Sequence, residues 1–319
     1  MTETVLVVGG TGQLGAPVAR QLRRDGYRVR LLARTLPAAC DRDADLDYVQ
    51  GDLDDTKSLR SALAGCAAVH LSVRGGPTTE SYDCVEHRGP AQVAALAALA
   101  GVGRLTYVSH MLAAPDAAAP ALRAKFHAEQ AIAASAVPST IFRPTYFMET
   151  LPRQVRGTQA VVLGRQPHRF HLLAAADFAR MVSRALATPE SAGTRLDIHG
   201  PEAVTIADAL RISCEQLAPG TRVVTRPLWF MTVLDRTVLR GQLRGTLDLM
   251  RVLQQAEERG DPSQANQLLG APTTTLLQWC EQRHTYRHRP RPDKTSLQRS
   301  CTWLVLIYNG HFPPLGNHL

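Results

Sequence analysis

A glycine-rich stretch near the start of the chain has the residue types and spacing that bind phosphate groups. An apolar run at residues 5–8 leads directly into Gly9, Gly10, Thr11, Gly12, Gln13, Leu14 and Gly15. One glycine permits a sharp turn, one lets the backbone touch a pyrophosphate, and one lets a helix pack closely on a strand. Backbone N–H groups near Gln13 and Leu14 then face the phosphates at the positive end of a helix. The succession of strand, turn and helix predicts a dinucleotide site; the alternative is a glycine-rich turn without a ligand.

The residue after the second predicted strand bears on the choice of cofactor. This strand, at 27–33, ends at Arg34. At that position dinucleotide folds carry an acid for the ribose 2′-hydroxyl or an arginine for a 2′-phosphate. A guanidinium group suits a phosphate dianion, so we predict that NADP(H) is preferred and that NAD(H) is the alternative. The competing interpretation of Arg34 is a solvated arginine at a strand end.

Two further strand ends contribute candidate cofactor residues. Asp52 and Leu53 follow the third strand at 46–50, where ligands gather in open α/β sheets, and Asp52 is placed against the adenine. Asp52 also fits the cap of the next helix, a role that Asp54 or Asp55 can fill instead. The fourth strand ends near Ser72 and Val73, which we place beside the nicotinamide.

Strand and helix patterns alternate through the first half of the chain, which predicts a parallel sheet covered on both faces. The fold class is α/β, a Rossmann-type doubly wound parallel sheet with a smaller, mainly helical C-terminal substrate part. We assign 1–144 to the dinucleotide-binding core, which about 170–199 completes. Residues 145–169 and 200–282 form the smaller substrate or lid part, and the basic tail at 283–319 is predicted to be disordered.

Composition excludes several classes of protein. Of the formal net charge of +8, the segment from Arg283 onward supplies +5, so a nucleic-acid partner is not expected. Six cysteines are scattered without a C-x-x-C pair, which indicates reduced thiols in a cytoplasm and no zinc site. His110, His127, His168 and His171 have no metal-binding spacing with acids, so no metal is predicted. We expect no signal peptide and no membrane segment.

Several short motifs together carry a family resemblance. Besides the glycine turn they are Gly51-Asp52-Leu53, the segment 101–109 ending in Ser109, Lys125 with Glu129, and Thr140-Ile141-Phe142-Arg143-Pro144. With Asp177-Phe178-Ala179 and Gly200-Pro201-Glu202 in the second half, the chain resembles an atypical short-chain dehydrogenase/reductase, closest to the NmrA-like, NAD(P)-binding group. The resemblance covers roughly residues 4–282. This group mixes reductases with redox-sensing regulators.

The resemblance implies site residues and also reveals a departure. The wider superfamily carries a Tyr four residues before its Lys, and Ala121 stands there. Lys125 matches the lysine that binds cofactor ribose or helps to move a proton; its alternative is a solvated helix lysine paired with Glu129. Ser109 matches the superfamily serine, which either polarises a carbonyl or caps a strand end. Tyr107 and Tyr146 are the candidate substitutes for the missing phenol.

In the resembled fold, residues 146–151 wall the substrate pocket, and the apolar cluster at Trp229 is expected to close over it. Two functions remain open. One is an NAD(P)H-dependent reductase of a small, apolar carbonyl, enone or quinone-like substrate, with Lys125 and Ser109 as catalytic candidates. The other is a non-catalytic NADP(H)-binding sensor that acts through a protein partner. Lys125 and Ser109 favour the enzyme, and the missing tyrosine favours the sensor.

Overall fold

The computed structural model describes residues 2–36, 38, 43–76 and 78–287. In chain order its strands are β1 (Thr4–Val8), β2 (Arg28–Ala33), β3 (Asp47–Gln50), β4 (Ala68–Leu71), β5 (Arg104–Val108), β6 (Ser139–Pro144), β7 (Tyr146–Phe147), β8 (Val155–Arg156), β9 (Gln159–Leu163), β10 (Arg169–Leu173), β11 (Thr194–Ile198), β12 (Ala203–Thr205) and β13 (Arg222–Arg226).

The α-helices are α1 (Gly15–Arg24), α2 (Thr56–Leu63), α3 (Thr79–Tyr82), α4 (Gly89–Leu99), α5 (Pro120–Ala133), α6 (Ala175–Ala187), α7 (Ile206–Leu217), α8 (Leu228–Thr237), α9 (Arg244–Gln255), α10 (Ser263–Leu269) and α11 (Leu276–Arg287). A π-helical segment, Asp83–Arg88, joins α3 to α4, and 3₁₀ segments lie at Met148–Gln154 and Pro189–Ser191.

A seven-stranded sheet in the order β11-β6-β5-β4-β1-β2-β3 organises the molecule. All of its strand pairs are parallel. Because successive strands add outward from β1 in one direction and from β4 in the other, the order reverses between β1 and β4. Ligands of open α/β sheets bind in the crevice at the carboxyl ends of the strands at such a point. The predicted Rossmann-type sheet is therefore confirmed.

The two faces of the sheet are covered by different helices. On one face, α1 and α6 pack side by side against alternate residues of β1 and β2. Val18 and Leu22 of α1 and Phe178 and Val182 of α6 belong to this core. On the other face, α2, α4 and α5 bury Leu59, Val93 and Ile132 against the sheet. The strands are buried on both sides, which explains why β1 is a continuous apolar run and not an alternating one.

The smaller part has more strands than the sequence indicates. It contains two three-stranded sheets, β12-β10-β7 and β13-β9-β8, packed with α7 and α11 around a third core. Helices still dominate it, as predicted. The strands were missed because they are two to five residues long, too short for a periodic pattern to stand out.

The C-terminal boundary also differs from the prediction. Helix α11 continues to Arg287, so the proposed start of the tail at residue 283 lies inside a helix. Oγ1 of Thr275 caps this helix by accepting a hydrogen bond from the backbone N–H of Gln278 (3.2 Å). In return, Oε1 of Gln278 accepts a hydrogen bond from the backbone N–H of Thr275 (3.0 Å). The predicted disorder and the apolar run at Trp303 lie outside the described residues.

Two other expectations concern the whole chain. The described cysteines, Cys66, Cys84, Cys214 and Cys280, are free thiols. Within the described part of the chain, the helices lack the length and apolar character needed to cross a bilayer.

Candidate functional site

The turn after β1 uses its glycines in two different ways. Gly9 has a φ of 82°, and a Cβ there would collide with the carbonyl oxygen of Ser72. A Cβ on Gly15 would collide with Gly9, since α1 begins directly against the turn. Gly10 is buried against Leu31. These three glycines are required by the packing of the protein itself.

Gly12 is different, because the protein leaves space in front of it. A Cβ on Gly12 would meet only the carbonyl oxygen of Gly9, at 3.1 Å. The Gly12 N–H donates to that same oxygen (2.9 Å), which fixes the turn. Beside it, the Nε2 of Gln13 is buried and has no hydrogen-bond partner among the described residues. An open backbone and an unpaired donor at the start of α1 fit the pyrophosphate of a dinucleotide.

One large cavity, about 890 Å³ in volume, begins at this turn and extends to the smaller part of the molecule. Most of the predicted cofactor residues line it: Gly9, Thr11, Gly12, Gln13, Leu14, Arg34, Asp52, Leu53, Ser72, Val73 and Lys125. Gly10 and Gly15 do not, because they pack behind the turn. The catalytic candidate Ser109 also lines the cavity.

Asp52 does not cap the following helix, so its carboxylate is available for a ligand. The N-cap of α2 is Asp55, whose carboxylate accepts the N–H of Lys57 at 2.9 Å. Asp52 instead lies on the cavity wall beyond β3, with Arg34 exposed at the end of the adjacent β2. An acid and an arginine at this end of the cavity fit the adenosine half of a dinucleotide.

Lys125 lies in the second turn of α5 and is tied to two neighbours. Its Nζ is 3.0 Å from Oε2 of Glu86 and donates to the carbonyl oxygen of Val108 at 3.2 Å. The alternative pair with Glu129 is not formed. Because an ammonium has three N–H donors, one remains for a group in the cavity. Glu86 is itself held by the N–H of Gly75 at 2.8 Å.

Ser109 belongs to a second network, centred on the buried carboxylate of Glu129. Its hydroxyl donates to Oε1 of Glu129, which also accepts from Nε of Arg143 (2.9 Å). Nη2 of Arg143 binds Oε2 of Glu129 (2.6 Å), and Nε of Arg195 lies 3.0 Å from that oxygen. With two guanidinium groups around it, Glu129 is a strong acceptor and holds the Ser109 proton. The Ser109 oxygen can accept a hydrogen bond, but its proton is not available to polarise a carbonyl.

His110, which the sequence analysis considered only as a metal ligand, lines the cavity. Burial, with the charges of Lys125 and Arg143, lowers the pKa of His110 to about 3, so the ring is neutral near pH 7. Its Nδ1 accepts the N–H of Leu112 at 3.1 Å, which leaves the proton on Nε2. His110 is therefore a hydrogen-bond donor and not a cationic acid.

Of three tyrosines near the site, Tyr107 cannot replace the missing phenol, whereas Tyr146 and Tyr82 line the cavity. Tyr107 is fully buried, and its hydroxyl donates to the carbonyl of Glu86 at 3.3 Å, so it cannot replace the missing phenol. Tyr146 lines the cavity and accepts from Nε2 of Gln154 at 2.9 Å. Tyr82 lines it as well. Burial raises the pKa of both cavity tyrosines. Ala121 occupies the cavity wall at the position of the family's tyrosine.

The roof of the cavity comes from residues 239–250 and not from the cluster at Trp229. Leu239, Leu243, Leu249 and Met250 line the cavity, whereas the Trp229 side chain is 71% exposed on α8. Gly245 of α9 lies directly over the ring of Tyr82, and a Cβ there would be 2.7 Å from Cε2. Of the predicted wall at 146–151, Tyr146 and Phe147 line the cavity, while Met148 and Leu151 are core.

Sequence reasoning missed Glu86, Tyr82 and His110. The π-helical segment turns Glu86 inward toward Lys125, and π-helical insertions often occur at functional sites. No pattern of residues in the sequence predicts this π-helical segment. His110 was visible only as the neighbour of Ser109. These residues come together because β4 and β5 end, and α5 begins, near one edge of the sheet.

The sheet order, the glycine turn and the cavity at the point of reversal define a dinucleotide-binding protein with the fold of short-chain dehydrogenases/reductases. A family model described as NAD(P)H-binding matches residues 9–189. The chain belongs to this NAD(P)H-binding family, in which its relatives include reductases. The predicted NAD(P)H cofactor is thereby confirmed.

Three comparisons illustrate the range of similar proteins. The (4-alkanoyl-5-oxo-2,5-dihydrofuran-3-yl)methyl phosphate reductase of Streptomyces griseus subsp. griseus is 34% identical over 230 residues, 71% of this chain and 76% of that protein. A photosystem II assembly factor of Cyanophora paradoxa is 26% identical over 242 residues, 73% and 75% of the two chains. The Citrobacter sp. triphenylmethane reductase, complexed with NADP(H), superposes with a TM-score of 0.67 at 17% identity over 88% of this chain and 99% of that one.

Proposed function

We propose that the protein is an NADPH-dependent reductase of the NmrA-like group that acts on a small, largely apolar carbonyl, enone or quinone-like substrate. The observation that carries this proposal is one continuous cavity that is lined both by the glycine turn and by the apolar residues Phe147, Leu243, Leu249 and Met250. Such an apolar wall beside a few polar groups is typical of small-molecule sites. Bound NADPH supplies the hydride.

The chain's own residues are assigned to binding and to the proton. The free N–H of Lys125 and Nε2–H of His110 are the donors proposed to hold the substrate oxygen. Reduction adds a hydride to carbon and needs a proton on oxygen or on the adjacent carbon. Lys125 is proposed to give that proton and to regain one from solvent, while Glu86 holds its ammonium in place (3.0 Å). Ser109 is a positioning residue, since its proton is bound to Glu129.

The preference for NADPH is proposed from Arg34. Its side chain is exposed at the cavity edge, and its guanidinium has no carboxylate within ion-pair distance among the described residues. A 2′-phosphate is a ligand that a guanidinium binds with two hydrogen bonds. NAD(H) offers only a neutral 2′-hydroxyl at that position, which binds a guanidinium more weakly than a phosphate dianion does.

The Streptomyces relative supports a conjugated substrate. The substrate in the name of that reductase is an oxo-dihydrofuran ring that carries an alkanoyl group and a methyl phosphate. We propose the same class for this chain: a C=C bond conjugated to a carbonyl, attached to an apolar group that fits the wall at Leu249.

The test is NADPH oxidation by the purified full-length chain, followed at 340 nm with butenolides, enones, quinones and aldehydes. Transfer of deuterium from [4-²H]NADPH to the product, detected by mass spectrometry, identifies direct hydride transfer. We expect turnover of at least one conjugated substrate. Tight NADPH binding without oxidation by any of these substrates contradicts the reductase proposal.

A sensor is the second candidate, and one observation favours it: Ala121 leaves the tyrosine position of the cavity wall without a phenol. A relative named as a photosystem II assembly factor shows that enzymatic names are not universal among similar proteins. A sensor is expected to bind NADPH and NADP⁺ with different affinities, which calorimetry measures, and to leave NADPH unoxidised in the assay above.

A further inference from the structure

Two histidines and a glutamate from distant parts of the chain come together outside the cavity. His171 lies in β10, His199 directly follows β11, and Glu258 lies in the connection between α9 and α10. Each residue offers one side-chain nitrogen or oxygen, and these three atoms lie within 4.8 Å of one another. The three side chains are partly buried, and they do not line the cavity. The cluster is therefore separate from the candidate site for the dinucleotide.

The contacts of His199 leave one of its ring nitrogens with a free lone pair. Nε2 of His199 lies 3.2 Å from the carbonyl oxygen of Arg259. A carbonyl oxygen only accepts, so in the neutral ring Nε2 carries the proton and Nδ1 does not. Nδ1 lies 3.8 Å from Oε2 of Glu258, which is longer than a hydrogen bond. A nitrogen lone pair and a carboxylate oxygen therefore face each other, and a cation between them satisfies both.

The carboxylate of Glu258 is oriented by the backbone of β10. The N–H of His171 donates to Oε1 of Glu258 at 2.7 Å, while Oε2 is hydrogen-bonded to Nδ1 of the same histidine. The rings of His171 and His199 stack, with centroids 5.5 Å apart and planes inclined by 17°. Metal-binding histidines and carboxylates usually have such outer hydrogen bonds, which fix their orientation. Two imidazoles and one carboxylate oxygen are thus directed at a common point.

The ligand set selects among metal ions. Two imidazole nitrogens and one carboxylate oxygen suit Zn²⁺, whereas Mg²⁺ and Ca²⁺ prefer oxygen ligands. Tetrahedral Zn²⁺ holds its ligand atoms about 3.3–3.5 Å apart, so Nδ1 of His199 and Oε2 of Glu258 need to approach only slightly. The side chain of His171 is 37% exposed, which leaves the fourth position open to water. As the ion binds, the proton on Nδ1 of His171 is lost to solvent and Nε2 holds the ring proton.

We propose that His171, His199 and Glu258 bind a Zn²⁺ ion that fixes the connection after α9 to β10 and to the end of β11. Helix α9 contributes Leu249 and Met250 to the roof of the cavity, so the ion anchors the helix that covers the site. The sequence analysis predicted no metal, because the three ligands are far apart in the chain and meet only when these segments pack. The proposal does not depend on the reductase function.

The first experiment measures Zn²⁺ binding by calorimetry. It uses the full chain without a histidine tag, freed of metal with EDTA and then desalted. We expect one equivalent of Zn²⁺ whose affinity falls by about a hundredfold or more in Glu258→Gln and in His199→Asn, since each variant removes a ligand. The matched controls are Glu257→Gln, at the exposed neighbouring residue, and His168→Asn, just before β10, and both should retain that equivalent. An excess of Mg²⁺ or Ca²⁺ should not displace it.

Equal Zn²⁺ affinity and stoichiometry in Glu258→Gln and Glu257→Gln would overturn the site, as would displacement by Mg²⁺ or Ca²⁺. Circular dichroism verifies that each variant is folded. Should Glu258→Gln fail to fold, His171→Asn provides the same comparison, because it removes a ligand from β10 and leaves the connection after α9 unchanged.

The second measurement tests the anchoring of α9. Arg259 is exposed, and its carbonyl oxygen accepts from His199, so tryptic cleavage after Arg259 reports the opening of this connection. Zn²⁺ should slow this cleavage by about tenfold or more in the unmutated chain, because the ion binds only the closed form, and should not slow it in Glu258→Gln. Mass spectrometry identifies the cleaved bond. Binding of one equivalent without protection at Arg259 would overturn the anchoring role.

Discussion

The glycine turn and the roof cover the same cavity, but they are built in different ways. The turn occupies consecutive residues 9–15, and its shape follows from backbone contacts among Gly9, Gly15 and Ser72. The roof at 239–250 is positioned by packing, as where Gly245 lies on Tyr82 of a helix more than 160 positions earlier in the chain. Local backbone constraints leave a signature in the sequence, whereas contacts between distant segments do not.

The comparison is tested most severely within the turn. Gly12→Val should abolish measurable NADPH binding, a loss of about a hundredfold or more, because its side chain fills the space reserved for the pyrophosphate. The fold should persist, since the protein places only the Gly9 carbonyl near that Cβ (3.1 Å). Gly15→Val should instead prevent folding, as its Cβ collides with Gly9. Circular dichroism and NADPH fluorescence separate the two results.

Retained NADPH binding in Gly12→Val would place the dinucleotide elsewhere. A folded Gly15→Val protein would show that α1 can move away from β1, which its buried contacts at Val18 and Leu22 oppose.

Lys125 lines the cavity that both regions cover. Lys125→Met keeps the length of the side chain and removes its charge. Turnover should fall by about a hundredfold or more, while cofactor affinity changes by less than about tenfold, because proton donation matters more to rate than one hydrogen bond does to binding. Lys57→Met, at the exposed start of α2, is the control. Steady-state kinetics with a genuine substrate provide the measurement.

Normal turnover in Lys125→Met would remove this lysine from the mechanism. Tyr146→Phe is then the next variant to examine, because its hydroxyl is also on the cavity wall.

The adenosine end gives a smaller effect. Arg34→Ala should weaken NADPH binding by about 1.5–3 kcal/mol, the scale of a charged hydrogen bond, and should leave NADH binding nearly unchanged. Arg20→Ala, on the outer face of α1, controls for the loss of a positive charge. Equal affinities of the unmutated protein for NADPH and NADH, measured by calorimetry, would contradict the assignment of Arg34 to the 2′-phosphate.

What the sequence predicted follows the same division. The glycine turn, Arg34 and Ser72 each follow a strand with a strong apolar pattern, and the same patterns predicted the sheet. The pairing of Lys125 with Glu86 was not predictable, because it depends on a π-helical insertion. The capture of the Ser109 proton by Glu129 depends on two arginines from β6 and β11.

Acid should destabilise the protein through two histidines that the fold keeps neutral. Burial lowers the pKa of His70, in β4, to about 3. Burial, with the charges of Lys125 and Arg143, does the same for His110 on the cavity wall. The unfolded chain binds these protons below about pH 6.5 and the folded chain does not. The free energy of unfolding therefore falls by about 1.4 kcal/mol per pH unit for each histidine between pH 6.5 and 3, and is unaffected by them above that window.

Urea unfolding at pH 7.0 and 5.5 measures this effect. His70→Gln and His110→Gln should each remove the contribution of one histidine from the pH dependence of the free energy of unfolding. The same dependence in the unmutated protein and both variants would show that neither ring is kept neutral by folding.

The smallest effect is expected at the C-terminal end. The described part of α11 is anchored by Trp279, whose Nε1 donates to Oε1 of Glu149 at 2.7 Å, and by the buried Leu276 and Cys280. The cavity wall is drawn from residues between Val8 and Met250. Deletion of everything after Arg287 should therefore leave NADPH affinity unchanged and the melting temperature within about 2 °C, since no buried contact of the described chain is removed. Deletion from Leu276 onward is the positive control and should lower the melting temperature strongly. A comparable drop after the shorter deletion would mean that the apolar run near Trp303 packs on the folded part.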